Sequence, residues 1–167
     1  MPITCPIRPV GPGDLSFIAQ AEADPTIAAF VSALPRQTHL ENLASPDFGY
    51  RVGLDDQGRP VGYCVFVGLT NRHRSIELRN YAIARRRSGF GQAMLRALIA
   101  ESFDELGANR LWLDVFPDNH VARQLYTKLG FREEGLMREC YIWKGNPQSS
   151  ILMSILASEY RLSKGTS

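Results

Sequence analysis

A run of arginines and glycines stands where an apolar segment of the sequence gives way to a helical pattern. It reads Arg86-Arg87-Ser88-Gly89-Phe90-Gly91 and follows the strand-like segment at 75–83. Glycines let backbone N–H groups approach a ligand closely, and a helix N-terminus favours negative charge. Arginines add positive charge and forked donors. The pattern predicts a phosphate site formed by the backbone N–H groups of roughly Arg87 to Gln92.

Two other glycine-rich phosphate motifs do not fit this turn. A P-loop needs a lysine after its last glycine, and none follows here. A dinucleotide-binding fingerprint needs a third glycine, but Met94 holds that position, and no acidic residue stands about twenty residues later. Ser88 does not lie in a GxSxG pattern, so we do not assign it as a nucleophile. A solvated basic loop is the alternative reading of Arg86 and Arg87.

A second motif follows one helix and one strand later. It reads NHVARQLYTKLGF at 119–131, with Asn119, Ala122 and Tyr126 at fixed places before Leu-Gly-Phe. Together the two motifs resemble those of the GCN5-related N-acetyltransferases (the GNAT family). The resemblance spans nearly the whole chain and is strongest from Glu77 to Phe131. The tail from Phe131 resembles the bacterial branch that includes the ribosomal-protein N-terminal acetyltransferases.

The resemblance implies an enzyme that moves the acetyl group of acetyl-CoA to a primary amine by direct attack in a ternary complex, without a metal. The glycine turn would hold the CoA pyrophosphate, a backbone N–H near Ile83 would polarise the thioester carbonyl, and Asn119 would bind the pantetheine arm. The residues that the resemblance assigns to the cofactor are Ala82, Ile83, Arg86, Arg87, Ser88, Gly89, Phe90, Gly91, Gln92, Asn119 and Ala122.

The resemblance also implies two side chains that move protons. Glu77 lies six residues before Ile83, the offset at which histone-acetylating members carry their general base. Tyr126 matches the usual general acid. Each has a structural alternative, because Glu77 could face solvent or pair with Arg79, and Tyr126 could be a core tyrosine.

Other residues compete for these roles. Asp114, on the next strand, or a chain of water molecules is the alternative base. Asn119 ends the turn sequence PDN and is equally a helix cap. The histidines His39, His73 and His120 have no metal-ligand spacing, and no metal site is expected.

The bulk composition limits the class of protein. The chain has 167 residues, a formal net charge of +2 and a pI of about 8.5, which favours one domain and gives little support to a nucleic-acid partner. Its three cysteines are far apart and lack a CxxC pair, which fits a reducing compartment. No signal peptide is recognisable, and the apolar stretch at 61–69 is too short to cross a bilayer. We expect a cytoplasmic protein.

The periodicity predicts an α/β protein with a mixed sheet, consistent with a GNAT-like fold of about seven strands flanked by helices in one domain, 1–167. Strands are predicted at 3–8, 48–54, 61–69, 75–83, 110–116, 131–142 and 150–160. Helices are predicted from Leu15 to Pro25, through Ile27 and Val31, at 37–44, between the glycine turn and Gly107, and between 119 and 130.

Three further expectations concern the site and the assembly. The apolar residues of 75–83 change phase, which indicates a one-residue bulge or a strand buried on both faces. The acceptor surface should come from 24–47 and the turn at 142–150, and the long final hairpin could pair with a second copy. A non-catalytic acyl-CoA-binding module is the alternative to an enzyme, and an RNA-associated protein is a weaker one.

Overall fold

A computed structural model describes residues 3–85 and 89–165. Seven strands form one sheet in the order β1-β2-β3-β4-β5-β7-β6. All neighbours are antiparallel except β4 and β5, which are parallel. The strands are β1 Ile7–Pro9, β2 Phe48–Leu54, β3 Pro60–Val67, β4 Ser75–Ile83, β5 Arg110–Val115, β6 Arg132–Trp143 and β7 Asn146–Leu156.

Helices cover both faces of this sheet. They are α1 Leu15–Ala23, α2 Arg36–Ala44, α3 Phe90–Ala100, α4 His120–Lys128 and α5 Ala157–Gly165, and a π-helical segment, Glu101–Glu105, continues α3. On one face, α1 packs with Leu15 and Ile18 against β2 and β3. On the other, α3 packs with Leu95 and Leu98 against β3, β4, β5 and β7. The predicted mixed seven-stranded sheet is therefore confirmed.

Both explanations of the phase change in β4 apply. Ile76, Glu77 and Leu78 are all buried, so this part of the strand is covered on both faces. Further along, β4 uses three residue steps, from Arg79 to Ala82, where β3 uses two, which is a one-residue bulge. Asn80 lies in the bulge with a φ of 52°, a left-handed conformation that asparagine tolerates better than most residues.

Three predicted elements are wrong in extent or type. The first strand begins at Ile7, since Pro6 supplies no N–H for pairing before it. Residues 24–31 form successive turns, with hydrogen bonds such as that from the Ala28 N–H to the Asp24 carbonyl, rather than a helix.

The third error is at the C-terminus, where 157–160 is helical and not strand. Glu159 accepts a hydrogen bond from the Leu156 N–H at 3.0 Å, which is half of a capping box and starts α5. The Tyr160 ring then stacks on Phe103, with 4.8 Å between centroids.

A buried polar network holds the segment between α1 and α2. Glu22, on α1, is 2% exposed and accepts hydrogen bonds from the Tyr63 hydroxyl at 2.7 Å and from the Leu34 N–H at 3.1 Å. His39 Nε2 lies 3.3 Å from the same carboxylate, and its Nδ1 lies 3.0 Å from the Tyr50 hydroxyl. The network therefore holds both ends of the segment 23–34 in place.

No helix in the described ranges, 3–85 and 89–165, is long and apolar enough to cross a membrane.

Candidate active site

A cleft opens in the sheet where β4 and β5 part. Their pairing joins only Ser75–Glu77 to Arg110–Trp112, whereas β5 pairs with β7 as far as Val115. A cavity of about 370 Å³ occupies the opening. Its lining residues are Phe30, Val31, Ser32, Glu77, Leu78, Arg79, Asn80, Tyr81, Asp114, Val115, Phe116, Asn119, Tyr126, Tyr141, Ile142 and Trp143. The cavity thus includes parts of both segments predicted to form the acceptor surface.

The cleft connects the two faces of the sheet. Glu77 and Asp114 each lie between two residues of the core that α3 covers. These neighbours are Ile76, Leu78, Leu113 and Val115. Because side chains alternate along a strand, both carboxylates belong to the opposite face. Tyr126, on α4, belongs to the core on the α3 side, so acid and tyrosine groups border the cavity from different faces.

The glycine turn leads directly into α3. Gly89 is the residue before the helix and has a φ of 77°, which favours glycine. A Cβ on Gly89 would lie 2.7 Å from Ile3 Cδ1, the end of a half-exposed side chain that would have to shift, so the backbone conformation is the main reason for glycine there. The N–H groups of Phe90, Gly91 and Gln92 belong to the first helical turn, whose donors have no partner within the helix. Arg86, Arg87 and Ser88 lie outside the described residues.

Tyr81 is a site residue that sequence reasoning missed. It follows Asn80 in the bulge, and its hydroxyl donates a hydrogen bond to the Gly91 carbonyl at 2.5 Å. Its ring meets that of Tyr126 edge-on, with 6.4 Å between centroids. Burial, with a smaller contribution from Tyr126, raises the pKa of Tyr81 well above its ordinary value. Tyr81 thus ties the bulge of β4 to the first turn of α3.

Tyr126 lies on α4 and is 7% exposed. Burial, reinforced by the negative charge of Asp114, raises the pKa of its hydroxyl above the ordinary range of tyrosine. The hydroxyl is therefore protonated at neutral pH, which is the state that a proton donor needs. Tyr126 is also packed in the core, so the same geometry fits the alternative that it is only a core tyrosine.

Glu77 pairs with Arg79, as the alternative reading expected. Arg79 Nε and Nη2 lie 2.8 and 2.7 Å from the two carboxylate oxygens. The Glu77 side chain is 11% exposed and that of Arg79 is 46% exposed. Each carboxylate oxygen has a further lone pair beyond its one contact with Arg79, so the pairing leaves Glu77 able to accept another hydrogen bond from the cavity.

Asp114 faces the same cavity without an ion pair among the described residues. Its Oδ2 accepts a hydrogen bond from the Ser150 hydroxyl at 2.5 Å. Tyr141 lies beside it, and burial, followed by the charge of Asp114, raises the pKa of that tyrosine above its ordinary range. Neutral donors therefore hold this carboxylate.

Asn119 caps α4, since its side-chain oxygen accepts a hydrogen bond from the Ala122 N–H at 3.3 Å. The residue also lines the cavity, which leaves its amide NH₂ for other contacts. Ala82 and Ile83 pair with Tyr63 and Gly62 at the end of β4.

An aromatic cluster, which sequence reasoning did not assign to the site, borders the acidic side of the cavity. Phe116 is at its centre, with ring centroids 5.1 Å from Trp143, 6.3 Å from Tyr141 and 6.4 Å from Phe30. A bulge in β6 between Met137 and Tyr141 separates Tyr141 and Trp143 from the regularly paired part of the hairpin. The only sequence signal was the aromatic character of 141–143.

Within the described parts of the chain, no three His, Cys, Asp or Glu side chains are grouped so that they could hold a metal ion.

Comparison with known proteins bears on this site. The acetyltransferase (GNAT) family profile matches residues 16–131. The uncharacterized N-acetyltransferase YoaA of Bacillus subtilis is 30% identical over 111 residues, which are 65% of this chain and 63% of that protein. The spermidine N(1)-acetyltransferase of Vibrio cholerae is 27% identical over 165 residues, which are 92% of this chain and 94% of that enzyme.

Two further similarities are more limited. The [ribosomal protein bS18]-alanine N-acetyltransferase of Escherichia coli is 36% identical over 69 residues, or 41% of this chain and 46% of that enzyme. The Vibrio cholerae spermidine N-acetyltransferase in complex with CoA and spermine superposes with a TM-score of 0.85 at 24% identity, covering 95% of this chain and 98% of that one, and shows the fold. The chain therefore belongs to the acetyltransferase (GNAT) family that its two motifs resemble.

Proposed function

We propose that the protein transfers the acetyl group of acetyl-CoA to a primary amine by direct attack in a ternary complex. As a member of the GNAT family it is an acyltransferase with acetyl-CoA as its co-substrate. The observation that carries the proposal is the cleft between β4 and β5. It joins a face with two carboxylates to a face with Tyr126 and the glycine turn.

In this proposal the cofactor lies on the side of α3. The first-turn N–H groups at Phe90, Gly91 and Gln92 bind the pyrophosphate, together with Arg86, Arg87 and Ser88. Asn119 and Ala122 contact the pantetheine arm. A backbone N–H near Ile83, supported by Ala82, binds the thioester oxygen as negative charge develops on it. The bulge in β4 supports this role, because it breaks the regular pairing just before these residues.

Glu77 and Tyr126 move the protons. Glu77 takes one proton from the acceptor ammonium with a lone pair that the two Arg79 contacts leave free. The free amine attacks the carbonyl carbon, so that a C–N bond forms and the C–S bond breaks. Tyr126 gives its proton to the departing thiolate and regains one from the second N–H lost by the amine. The products are an amide, CoA and one proton released to solvent. Asp114 or water is the alternative base.

Two kinds of amine are supported as the acceptor. A polyamine is supported by the similarity to the spermidine enzyme over nearly the full chain. A protein N-terminus is supported by the shorter but closer similarity to the bS18-alanine enzyme. No observation favours the non-catalytic acyl-CoA-binding module.

A thiol-release assay with acetyl-CoA tests the reaction. Spermidine, putrescine, agmatine, tyramine and an alanine-starting peptide are supplied one at a time, with and without the protein. We expect CoA release that depends on at least one amine and an acetylated product found by mass spectrometry. Binding of acetyl-CoA without stimulated release by any amine in a wider panel would favour the binding module.

The proposal also includes the location of the protein and its oligomeric state. Cytoplasmic location is supported by the absence of disulfides among the described cysteines, Cys5, Cys64 and Cys140. A homodimer is supported by β6, a twelve-residue edge strand that is exposed along most of its length. Light scattering of the purified protein measures the second of these directly.

A further inference from the structure

We propose that the acceptor is an amine without a carboxylate beside its amino group. It is held as a cation between Asp114 and the aromatic cluster of Phe30, Phe116, Tyr141 and Trp143. This inference rests on the proposed function and narrows its substrate class. It depends on the charges that line the cavity and on the partners of each charge.

The anionic side of the cavity is incompletely neutralised. Among the described lining residues, Glu77 and Asp114 are acidic and Arg79 is basic. The Arg79 guanidinium makes its two short contacts with Glu77. Among the residues that the structure describes, Asp114 forms no ion pair and accepts a hydrogen bond from a neutral donor, the Ser150 hydroxyl. The described lining therefore has one more acidic than basic side chain, and the hydrogen bonds of Arg79 go to Glu77, although its charge also acts on Asp114.

The aromatic cluster makes the surroundings of Asp114 suitable for a cation. Ring faces attract ammonium groups, and the attraction is stronger where water is partly excluded. Trp143 and Tyr141 both pack against Phe116, at 5.1 and 6.3 Å between centroids. The Ser150 contact fixes the carboxylate on the same side of the cleft. Asp114 and the rings of the cluster line the same cavity, so an ammonium group there has one carboxylate and several rings within reach. Lys144 Nζ, which lies 5.9 Å from the centroid of the Trp143 ring, already places one ammonium group beside this cluster.

A carboxylate on the substrate has no comparable partner. Arg79, the one basic residue of the described lining, is occupied by Glu77. A second negative charge next to the bound ammonium would approach Asp114 in a partly desolvated cavity, where like charges repel strongly. Free α-amino acids should therefore be rejected, whereas alkylamines, polyamines and peptide N-termini, whose carboxyl is an amide, should be accepted.

Matched pairs of compounds test the inference. Tyramine is compared with tyrosine and tyrosinamide, and agmatine with arginine and argininamide. We expect kcat/KM to be at least about 100-fold higher for each amine than for its amino acid, with most of the loss restored in the amide. Equal turnover of an amine and its amino acid would overturn the inference while leaving the acetyltransferase proposal intact.

Binding gives a readout that does not depend on turnover. Calorimetry of the CoA-loaded protein should show at least about tenfold tighter binding of tyramine or agmatine than of tyrosine or arginine. Equal affinity, or no binding of either amine, contradicts the inference. Preferential binding without any acetylation would instead count against the proposed reaction and support the binding preference.

Two variants separate this role from general charge effects. Asp114→Asn should reduce the preference for the amine over the amino acid by at least about tenfold in the calorimetric assay. Asp118→Asn removes the same charge from an exposed residue outside the cavity lining and should leave the preference unchanged. An unchanged preference in Asp114→Asn, in a variant with a normal melting temperature, would refute the role of Asp114.

Discussion

Tyr126 illustrates how burial and a nearby negative charge together keep a hydroxyl protonated. Tyr126 belongs to the apolar core, where burial raises the cost of ionising its hydroxyl and the negative charge of Asp114 adds to that cost. The ring of the same residue helps to fill the core, so this packing can be separated from the proton transfer that we propose for the hydroxyl. Removing only the hydroxyl therefore tests the chemical role without opening a cavity.

For Tyr126→Phe we expect kcat to fall by about 100-fold or more, because positioned proton donors contribute roughly 10²- to 10⁴-fold. The affinity for CoA should stay within about threefold, since the ring remains in place. Steady-state kinetics and calorimetry with CoA provide the two measurements. An unchanged kcat would remove Tyr126 from the proton-transfer step.

Glu77→Gln tests the base. At neutral pH the acetylation rate should fall by about 10²-fold, and it should recover partly as the pH rises, because solvent then deprotonates more of the amine. A pH–rate profile of both proteins with one amine gives the comparison. A rate loss that stays constant with pH would assign the proton transfer to Asp114 or to water.

The sequence motifs identified those site residues that lie within one motif or in the strand directly before it. Glu77, Gly89, Asn119 and Tyr126 all lie at the cleft or at the helix that begins beside it. Tyr81 could not be assigned, because the phase change fitted either a bulge or a strand buried on both faces, and the direction of the side chain depends on the bulge. Residues of the aromatic cluster come from segments far apart in sequence, whose meeting depends on tertiary packing.

At the scale of elements, the segment between α1 and α2 has little regular structure of its own. It nevertheless contributes Phe30, Val31 and Ser32 to the cavity. Its end is held by the hydrogen bond from the Leu34 N–H to buried Glu22. The buried contact of Glu22 therefore adds to the backbone hydrogen bonds of the turns at 24–31.

Glu22→Gln should lower the free energy of unfolding by about 1–3 kcal/mol, because a buried acceptor for several donors is weakened. Urea unfolding followed by circular dichroism measures this loss. Glu41→Gln, at an exposed position on α2, is the matched control and should change stability by less than about 0.5 kcal/mol. Similar effects of the two substitutions would show that the network does not stabilise this segment.

The turn between β2 and β3 is tied to the end of β4 through Asp55. This carboxylate accepts hydrogen bonds from the backbone N–H and side chain of Arg59, and Arg85 lies 2.5 Å away. The bond from the Arg59 backbone is the main cause that lowers the pKa of Asp55 to about 2, with the Arg59 side chain adding to it. Since the folded-state pKa is depressed, the stabilisation is complete above the ordinary value near 4 and is lost as the pH falls toward 2.

Asp55→Asn should therefore destabilise the protein most at neutral pH and progressively less between pH 4 and pH 2. The difference in unfolding free energy between the wild type and the variant, measured at several pH values, gives the curve. Asp56→Asn, at the exposed neighbouring position, serves as the control. A difference that does not shrink on acidification would contradict the assignment.

Elements with strong local signals were predicted closely. The bounds 48–54 and 75–83 agree with β2 and β4. The end of β7 was missed because its alternation of apolar residues continues into a segment whose conformation is set by a cap, at Glu159. The short helix through Ile27 and Val31 was wrong because helical spacing over so few residues also fits successive turns.

For the whole molecule, cofactor binding should appear as added stability. Acetyl-CoA at about 100 times its Kd should add about 2.7 kcal/mol to the folded state, or several degrees in Tm. Gly89→Asp should abolish this shift, because it places bulk and negative charge at the proposed phosphate site. Differential scanning fluorimetry with and without acetyl-CoA measures both proteins.

Gly107→Asp is the matched control for that experiment. Gly107 also has a positive φ, of 65°, and a Cβ there meets nothing within 4 Å. Both variants therefore place aspartate in a left-handed conformation, but only Gly89 adjoins the proposed phosphate site. A normal shift in Gly89→Asp would rule out the glycine turn as the cofactor cradle.

The short seam between β4 and β5 has a consequence for how the molecule opens. Three residue pairs connect a four-stranded half of the sheet, β1 to β4, to a three-stranded half, β5 to β7. The core under α3 spans both halves, whereas the core under α1 draws only on the first. We therefore expect the amides at this seam to exchange with solvent through partial opening before the sheet as a whole unfolds.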